Sequence, residues 1–251
     1  MLIQQLKLGT LLPNGTDTAI IAYADDLLII SSNLKHLQII LDHCVKYAYD
    51  HNTIFNHAKT QFVISGKSPI QDPYLTLNGI RIKPQNELKH LGFTWKLNKS
   101  KKLSLQSHVD SRLAELWSVA TSLISAGIRK LHPNSIVSLF ETIVIPKLLY
   151  GLEIISMPKS LTERINRQAR TCLKSLFGIS KKSKNYIHRM YNIKEVSTYL
   201  EKRGFALIEQ LFRNKTTANY ILGLLTQADR SYSTLNSILQ SCNRFNVDVI
   251  E

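Results

Sequence analysis

The chain predicts an α+β fold class, with antiparallel strands backed by a helix and then an all-α, basic helical bundle. Three observations predict it. Over the first 95 residues, short apolar runs alternate with turn residues in the manner of hairpins. Past residue 103 the apolar period changes from two to nearly four. The charge changes with the period: residues 1–95 hold 8 Lys and Arg against 7 Asp and Glu, whereas 96–251 hold 24 against 11. The expected divisions are 1–95, a basic connector at 96–103, a helical domain at 104–215 and a weakly patterned tail at 216–251.

The first element is a hairpin. Ala19-Ile20-Ile21-Ala22 and Leu27-Leu28-Ile29-Ile30 flank Tyr23-Ala24-Asp25-Asp26, so two apolar strands are expected to run through the interior and meet at a polar turn. Two adjacent carboxylates in a poorly hydrated place disfavour each other's ionisation. A divalent cation resolves that conflict, since Mg²⁺ takes one or two protein carboxylates and completes its shell with water and phosphate oxygens. The plain alternative is an exposed turn with two solvated aspartates. An Asp25 standing in bulk solvent, or on a helix, would overturn the metal-binding reading and any functional reading built on it.

Ser31-Ser32-Asn33 offers N-caps for a helix to about Asp50, with Leu34, Leu37, Leu41, Cys44 and Ala48 at helical spacing. Phe62 to Ser65 reads as a strand turning at Gly66. Leu75–Ile82 is a hairpin bent at Asn78-Gly79. Leu88–Trp95 is another strand-like segment, and Lys99, Lys101 and Lys102 mark the connector.

A long helix is expected from Leu105 to Ala126, stopped by Gly127. A second starts near Pro133. A third carries the capping box Ser160-Leu161-Thr162-Glu163 and ends at Gly178. On its wheel Leu161, Ile165, Ala169, Cys172, Leu173 and Leu176 share one side, with Arg164, Arg167, Arg170 and Lys174 opposite. Such a stripe is commonly a solvated face. The adjoining Lys181, Lys182 and Lys184 strengthen a nucleic-acid reading. A fourth helix spans about Glu195 to Arg213.

With 44% hydrophobic residues and a formal charge of +14, the chain resembles an ordinary globular protein facing a polyanion. Leu139–Ile155 is broken by Glu141, Pro146, Lys147 and Glu153, so a buried helix pair or helix–turn is expected and no membrane partner. Cys44, Cys172 and Cys242 match no zinc spacing. Three free thiols without a secretion signal fit an intracellular, reducing compartment, cytoplasmic or nuclear.

These blocks together resemble a reverse transcriptase of the non-LTR (LINE-type) retrotransposon group. Tyr23-Ala24-Asp25-Asp26 looks like that family's catalytic hairpin in the palm. Asn56-His57-Ala58-Lys59-Thr60 is similar to its next block, and Leu88-Lys89-His90-Leu91-Gly92 to its primer grip. The basic helical remainder, including Ile143–Gly151, looks like the thumb. The resemblance implies RNA-directed DNA polymerisation with Mg²⁺, or Mn²⁺ in its place, in the complete enzyme. The implied partners are an RNA template, a DNA primer, their duplex and deoxynucleotides. Asp25 would bind metal, with Asp26 supporting it. Tyr23 and Ala24 would shape the primer-end pocket, and Leu88, Leu91 and Gly92 would position the primer strand. Lys59 would sit by the nucleotide phosphates, with a surface lysine as its alternative. The family's other metal-binding aspartate lies on an earlier strand. Asp17, the only acidic residue ahead of Tyr23, does not fit that role. The fingers also have no counterpart, so the chain reads as the C-terminal half of a polymerase, inactive alone. A nucleic-acid-binding remnant without enzymatic activity is the competing reading.

Overall fold

The computed structural model describes residues 8–10, 17–66, 70–101, 103–155, 157–215, 217–219 and 221. Most of the expected tail, Cys242 and most of the segment Leu2–Leu12 lie outside them. The described residues divide into a strand-rich unit, up to Ser107 together with 217–219 and 221, and a helical unit from His108 to Lys215.

In the strand-rich unit, β1 (Ile20–Tyr23) pairs antiparallel with β2 (Asp26–Ile29), Ile20 opposite Ile29 and Tyr23 opposite Asp26. Helix α1 (Leu34–Asp50) follows, capped by Asn33, whose side chain accepts from the Lys35 N–H at 2.8 Å. Ile40, Leu41, Cys44 and Ala48 form its buried stripe. Ala19, Ile20 and Ile29 pack with Ile40 and Cys44, so burial of the hairpin gathers at its open end. The expected interior position of both strands is therefore not what the fold builds. Ile21 is 44% exposed, Tyr23 66% and Leu27 37%. A two-stranded ribbon has two edges and two faces, and one helix covers part of one face.

Strands β3 (Leu75–Leu77) and β4 (Ile80–Ile82) form the expected hairpin around Asn78-Gly79, both with positive φ. Mirror-image turns require this and match the twist of the strands they join. Leu75, Leu77 and Ile82 share a small core with Leu41 and Phe62. Gln38 clamps β3 to α1: its amide donates to the Thr76 carbonyl at 2.9 Å and accepts the Thr76 N–H at 2.8 Å.

Leu88–Trp95 is a hairpin rather than a single strand. It comprises β5 (Glu87–His90) and β6 (Phe93–Leu97), with Leu91 and Gly92 as the bend. The expected connector is likewise part of the sheet. β7 (Leu103–Ser104) returns along β6, with Lys96 opposite Ser104. Asn98 makes the turn by accepting the Ser100 N–H at 2.9 Å. Phe62–Ser65 forms no strand. It stays irregular, held by Gln85 N–H to Phe62 O at 2.7 Å and Gly66 N–H to Lys101 O at 2.7 Å.

The helical unit is built from α2 (Gln106–Ser125), α3 (Pro133–Leu139), α4 (Ile145–Leu149), α5 (Lys159–Leu176), α6 (Tyr186–Met190) and α7 (Val196–Arg213). Gly127, at φ 84°, ends α2 as expected. Between α3 and α4 the chain widens into a π turn at Phe140–Val144, where Ile145 N–H reaches back to Phe140 O. Pro146 accounts for it, because proline lacks an N–H and its ring clashes with the carbonyl four residues back in an α-helix. Leu139–Ile155 is thus a buried helix and turn, with Phe140, Val144, Ile145, Leu148, Leu149 and Leu152 in the core. Among the described residues no helix is long and apolar enough to cross a membrane.

Helix α5 begins earlier than its sequence signal. Pro158 is the N-cap, so Ser160 lies inside the first turn and the capping box does not form. The Pro158 carbonyl already takes the Leu161 N–H at 2.9 Å, and Glu163 pairs with Arg170 instead at 2.7 Å.

Candidate functional site

The tip of the first hairpin is made by Ala24 and Asp25, between the paired residues Tyr23 and Asp26. Ala24 stands at φ 51°, a left-handed conformation that costs a residue with a Cβ about 1–2 kcal/mol. The strain presents two carboxylates on consecutive residues at a tight bend. Tyr23, Ala24, Asp25 and Asp26 are all exposed, which contradicts the expectation of a poorly hydrated turn. Asp25 is in solvent, though not on a helix. The adjacency of the aspartates remains, but the desolvation that was to force a cation between them does not.

Among the described residues no group of three His, Cys, Asp or Glu side chains is arranged to hold a metal ion. The hairpin therefore offers one or two carboxylates, which suits Mg²⁺ only where water and phosphate oxygens complete the shell. Asp17 does not join them. Register sets it beyond the open end of the hairpin, separated from the tip by roughly 20 Å of extended chain. Both its carboxylate oxygens are buried without a hydrogen-bond partner among the described residues.

Lys59 is carried on a single helical turn that Asn56 organises. The Asn56 side chain accepts from Ala58 N–H at 3.0 Å and Lys59 N–H at 3.3 Å, and its carbonyl accepts the Thr60 hydroxyl at 2.9 Å. Lys59 is exposed, and in this unit the ion pairing among described residues is Lys83 with Asp72 at 3.3 Å. Leu91 and Gly92 are the bend residues of the β5–β6 hairpin, at φ 49° and 76°. A leucine in that region is strained in the same way as Ala24. Leu88 lies opposite Trp95.

The basic stripe of α5 is not the uniform solvated face the wheel suggests. Arg164 pairs with Asp110 at 2.9 Å. Arg170 is only 21% exposed and bridges Glu163 and Glu195 at 2.7 and 2.9 Å. Burial works against its charge, but the two carboxylates more than offset it and raise its pKa. Lys174 is buried, at 7% exposure. Only Arg167 of the four is both exposed and without an ion pair among the described residues.

Residues the sequence reading passed over shape the end of this helix. Arg129 donates through Nε and Nη2 to the Ser175 carbonyl at 3.2 and 2.9 Å, capping α5. Trp117 lies under Lys181, whose Nζ is 5.2 Å from the ring centroid. A basic or aromatic residue one helix away carries no local sequence signal of such a role.

Residues 2–95 match the family model described as reverse transcriptase (RNA-dependent DNA polymerase). No curated protein and no solved structure matches the chain. The matched segment holds the strained carboxylate hairpin, the Lys59 turn and the β5–β6 bend: the strand-rich part of this chain carries a reverse-transcriptase domain match.

Proposed function

We propose that the chain is part of a non-LTR-type RNA-directed DNA polymerase, with a palm portion in the matched segment and a thumb-like portion in the helical unit. The observation that carries this reading is the family match over residues 2–95, within which Asp25 and Asp26 stand at a tight, strained hairpin tip. The reaction is attack of a primer 3′-hydroxyl on the α-phosphate of a deoxynucleotide, templated by RNA. Asp25 and Asp26 would hold divalent metal, Mg²⁺ or Mn²⁺; of the two ions the reaction uses, one would activate the attacking oxygen and the other would neutralise charge on the leaving oxygens. The exposure of Asp25 weighs against the hairpin alone as a metal site, and it is the family match over residues 2–95 that supports the reading. Tyr23 and Ala24 shape the primer end, while Leu88, Leu91 and Gly92 support the primer strand. Lys59 faces the phosphates and hands a proton to pyrophosphate.

Two carboxylates on one bend make an incomplete two-metal site. The purified chain should accordingly give no primer extension on an RNA template with Mg²⁺ or Mn²⁺. Robust extension that Asp25→Asn abolishes would show that the site is complete. Grafting Ile20–Ile29 into the hairpin of an active non-LTR polymerase tests the assignment itself. The graft should extend primers and lose at least about 100-fold on Asp25→Asn. Activity indifferent to Asp25 would refute the role.

A second reading, nucleic-acid binding without catalysis, is favoured by the 24 Lys and Arg against 11 Asp and Glu in residues 96–251. It requires only the helical unit's cations and predicts strongly salt-dependent duplex binding.

A further inference from the structure

The loop after α5 is built more firmly than an exposed basic loop needs to be. Ile179 N–H returns to the Lys174 carbonyl at 2.9 Å, closing the helix over Gly178. Ser180 then organises a tight turn. Its hydroxyl accepts the Lys182 N–H at 3.3 Å, and its carbonyl takes both the Ser183 N–H at 3.0 Å and the Ser183 hydroxyl at 2.6 Å. Beneath this turn the Lys174 ammonium donates to the Ser183 carbonyl at 2.6 Å and to the Lys181 carbonyl at 3.4 Å.

A buried ammonium is costly to desolvate unless its donors are satisfied. Here two loop carbonyls satisfy it, near the negative end of the α5 dipole. Lys174 is therefore used internally, and its charge fixes the backbone from which Lys181, Lys182 and Lys184 project. Lys182 and Lys184 are exposed and have no carboxylate partner among the described residues, and Lys181 rests on Trp117. Arg164 and Arg170, by contrast, already face carboxylates, which cancels most of the field they present outward.

We infer that this loop, 179–184, is a preformed clamp for the phosphate backbone of a nucleic-acid duplex, and that Lys174 is its positioning residue. The inference rests on the nucleic-acid reading above and moves the contact from the α5 stripe to the loop. A fixed turn lowers the entropy lost when long lysine side chains are ordered on phosphates. An anionic membrane is the poorer partner. The adjoining helix α6 has five residues, and the apolar side of α5 is already committed to the core.

Anisotropy of a labelled RNA–DNA duplex with the full chain, titrated between about 50 and 200 mM salt, tests this. Lys182→Gln with Lys184→Gln removes two phosphate contacts. The log–log salt slope should become shallower by roughly 1.8, and affinity near 0.1 M salt should fall roughly 60-fold. Arg164→Gln should leave both nearly unchanged. Lys174→Met removes no exposed charge, so it should weaken binding several-fold at an unaltered slope, a split that general unfolding would not produce. Wild-type-like binding by the Lys182/Lys184 variant would overturn the clamp while leaving nucleic-acid binding intact. Wild-type chain that binds no duplex at any salt would remove the underlying reading as well. Capture by phosphatidylserine vesicles through Lys182 and Lys184, with duplex binding unaffected, would reassign the loop to membranes and refute the inference. Should Lys174→Met fail to fold, as judged by circular dichroism, the surface double variant still decides.

Discussion

The helical unit gathers twenty described residues into one buried apolar cluster, while the strand-rich unit divides eight between two small ones. Phe140, Leu148, Ile165 and Leu173 are sealed from solvent, whereas Ile21, Tyr23 and Leu27 on the first hairpin are not. Apolar burial is the main favourable term in folding, so stability is concentrated in the unit without the polymerase match. The candidate chemistry sits on a thinly supported ribbon. Binding sites are commonly drawn from such weakly held elements. The difference also shows in the charges. The helical unit pairs several of its cations or uses them internally, as with Arg170 and Lys174, while the hairpin leaves two like charges side by side.

Truncation sharpens this contrast most. Phe140→Ala should destabilise the helical unit by about 3–5 kcal/mol, since it removes a sealed ring from a packed cluster. Ile21→Ala on the hairpin should cost under about 1 kcal/mol. Urea unfolding followed by circular dichroism measures both, and equal effects would break the comparison.

Backbone conformation gives the next largest effects. Gly79→Ala forces a Cβ onto φ 77° and should cost about 1–2 kcal/mol. Ala24→Gly does the reverse at the hairpin tip and should stabilise it by about 0.5–1 kcal/mol. Hydrogen exchange of the hairpin amides detects that gain. No gain would mean that the tip is not strained.

The smallest effect is a pH dependence of the helical unit. His108 is buried and its Nε2–H donates to the Tyr150 carbonyl at 2.9 Å. Burial lowers its pKa. The hydrogen bond to Tyr150 opposes that shift, Arg112 adds to it and Glu153 opposes it. An unfolded histidine titrates near about 6.5. Below that pH the unfolded chain binds a proton that the folded chain resists, so stability should fall as pH drops from about 6.5 toward the lower folded value. Burial also lowers the pKa of His188, which adds in the same direction. Urea midpoints across this range should flatten in His108→Gln. A midpoint that rises on acidification would contradict the sign.

Local patterns made much of this architecture legible. The Tyr23–Asp26 bend, the Asn78-Gly79 hairpin, the Asn33 cap, the Gly127 stop and the apolar stripe of α5 each follow from neighbours within a few residues. What escaped depended on distant partners. Lys174 occupies a helical position like those of its arginine neighbours, yet loop carbonyls seven and nine residues away bury it. Ser160 is a sound cap by type, but Pro158 starts the helix first. The basic composition of residues 96–103 hid β7, because a two-residue strand has no period to detect. The largest error concerned the hairpin itself. Two continuous apolar runs report a capacity to be buried, whereas burial also needs something on the other face.

The metal-binding role of Asp25 is tested most directly by titrating Mn²⁺ into isotopically labelled chain, with a deoxynucleoside triphosphate present to complete the ion's shell, and following paramagnetic broadening of the amide resonances. Broadening should centre on Tyr23–Leu27 and disappear in Asp25→Asn. Resonances of that bend that stay sharp, or broadening that persists without the Asp25 carboxylate, would contradict it.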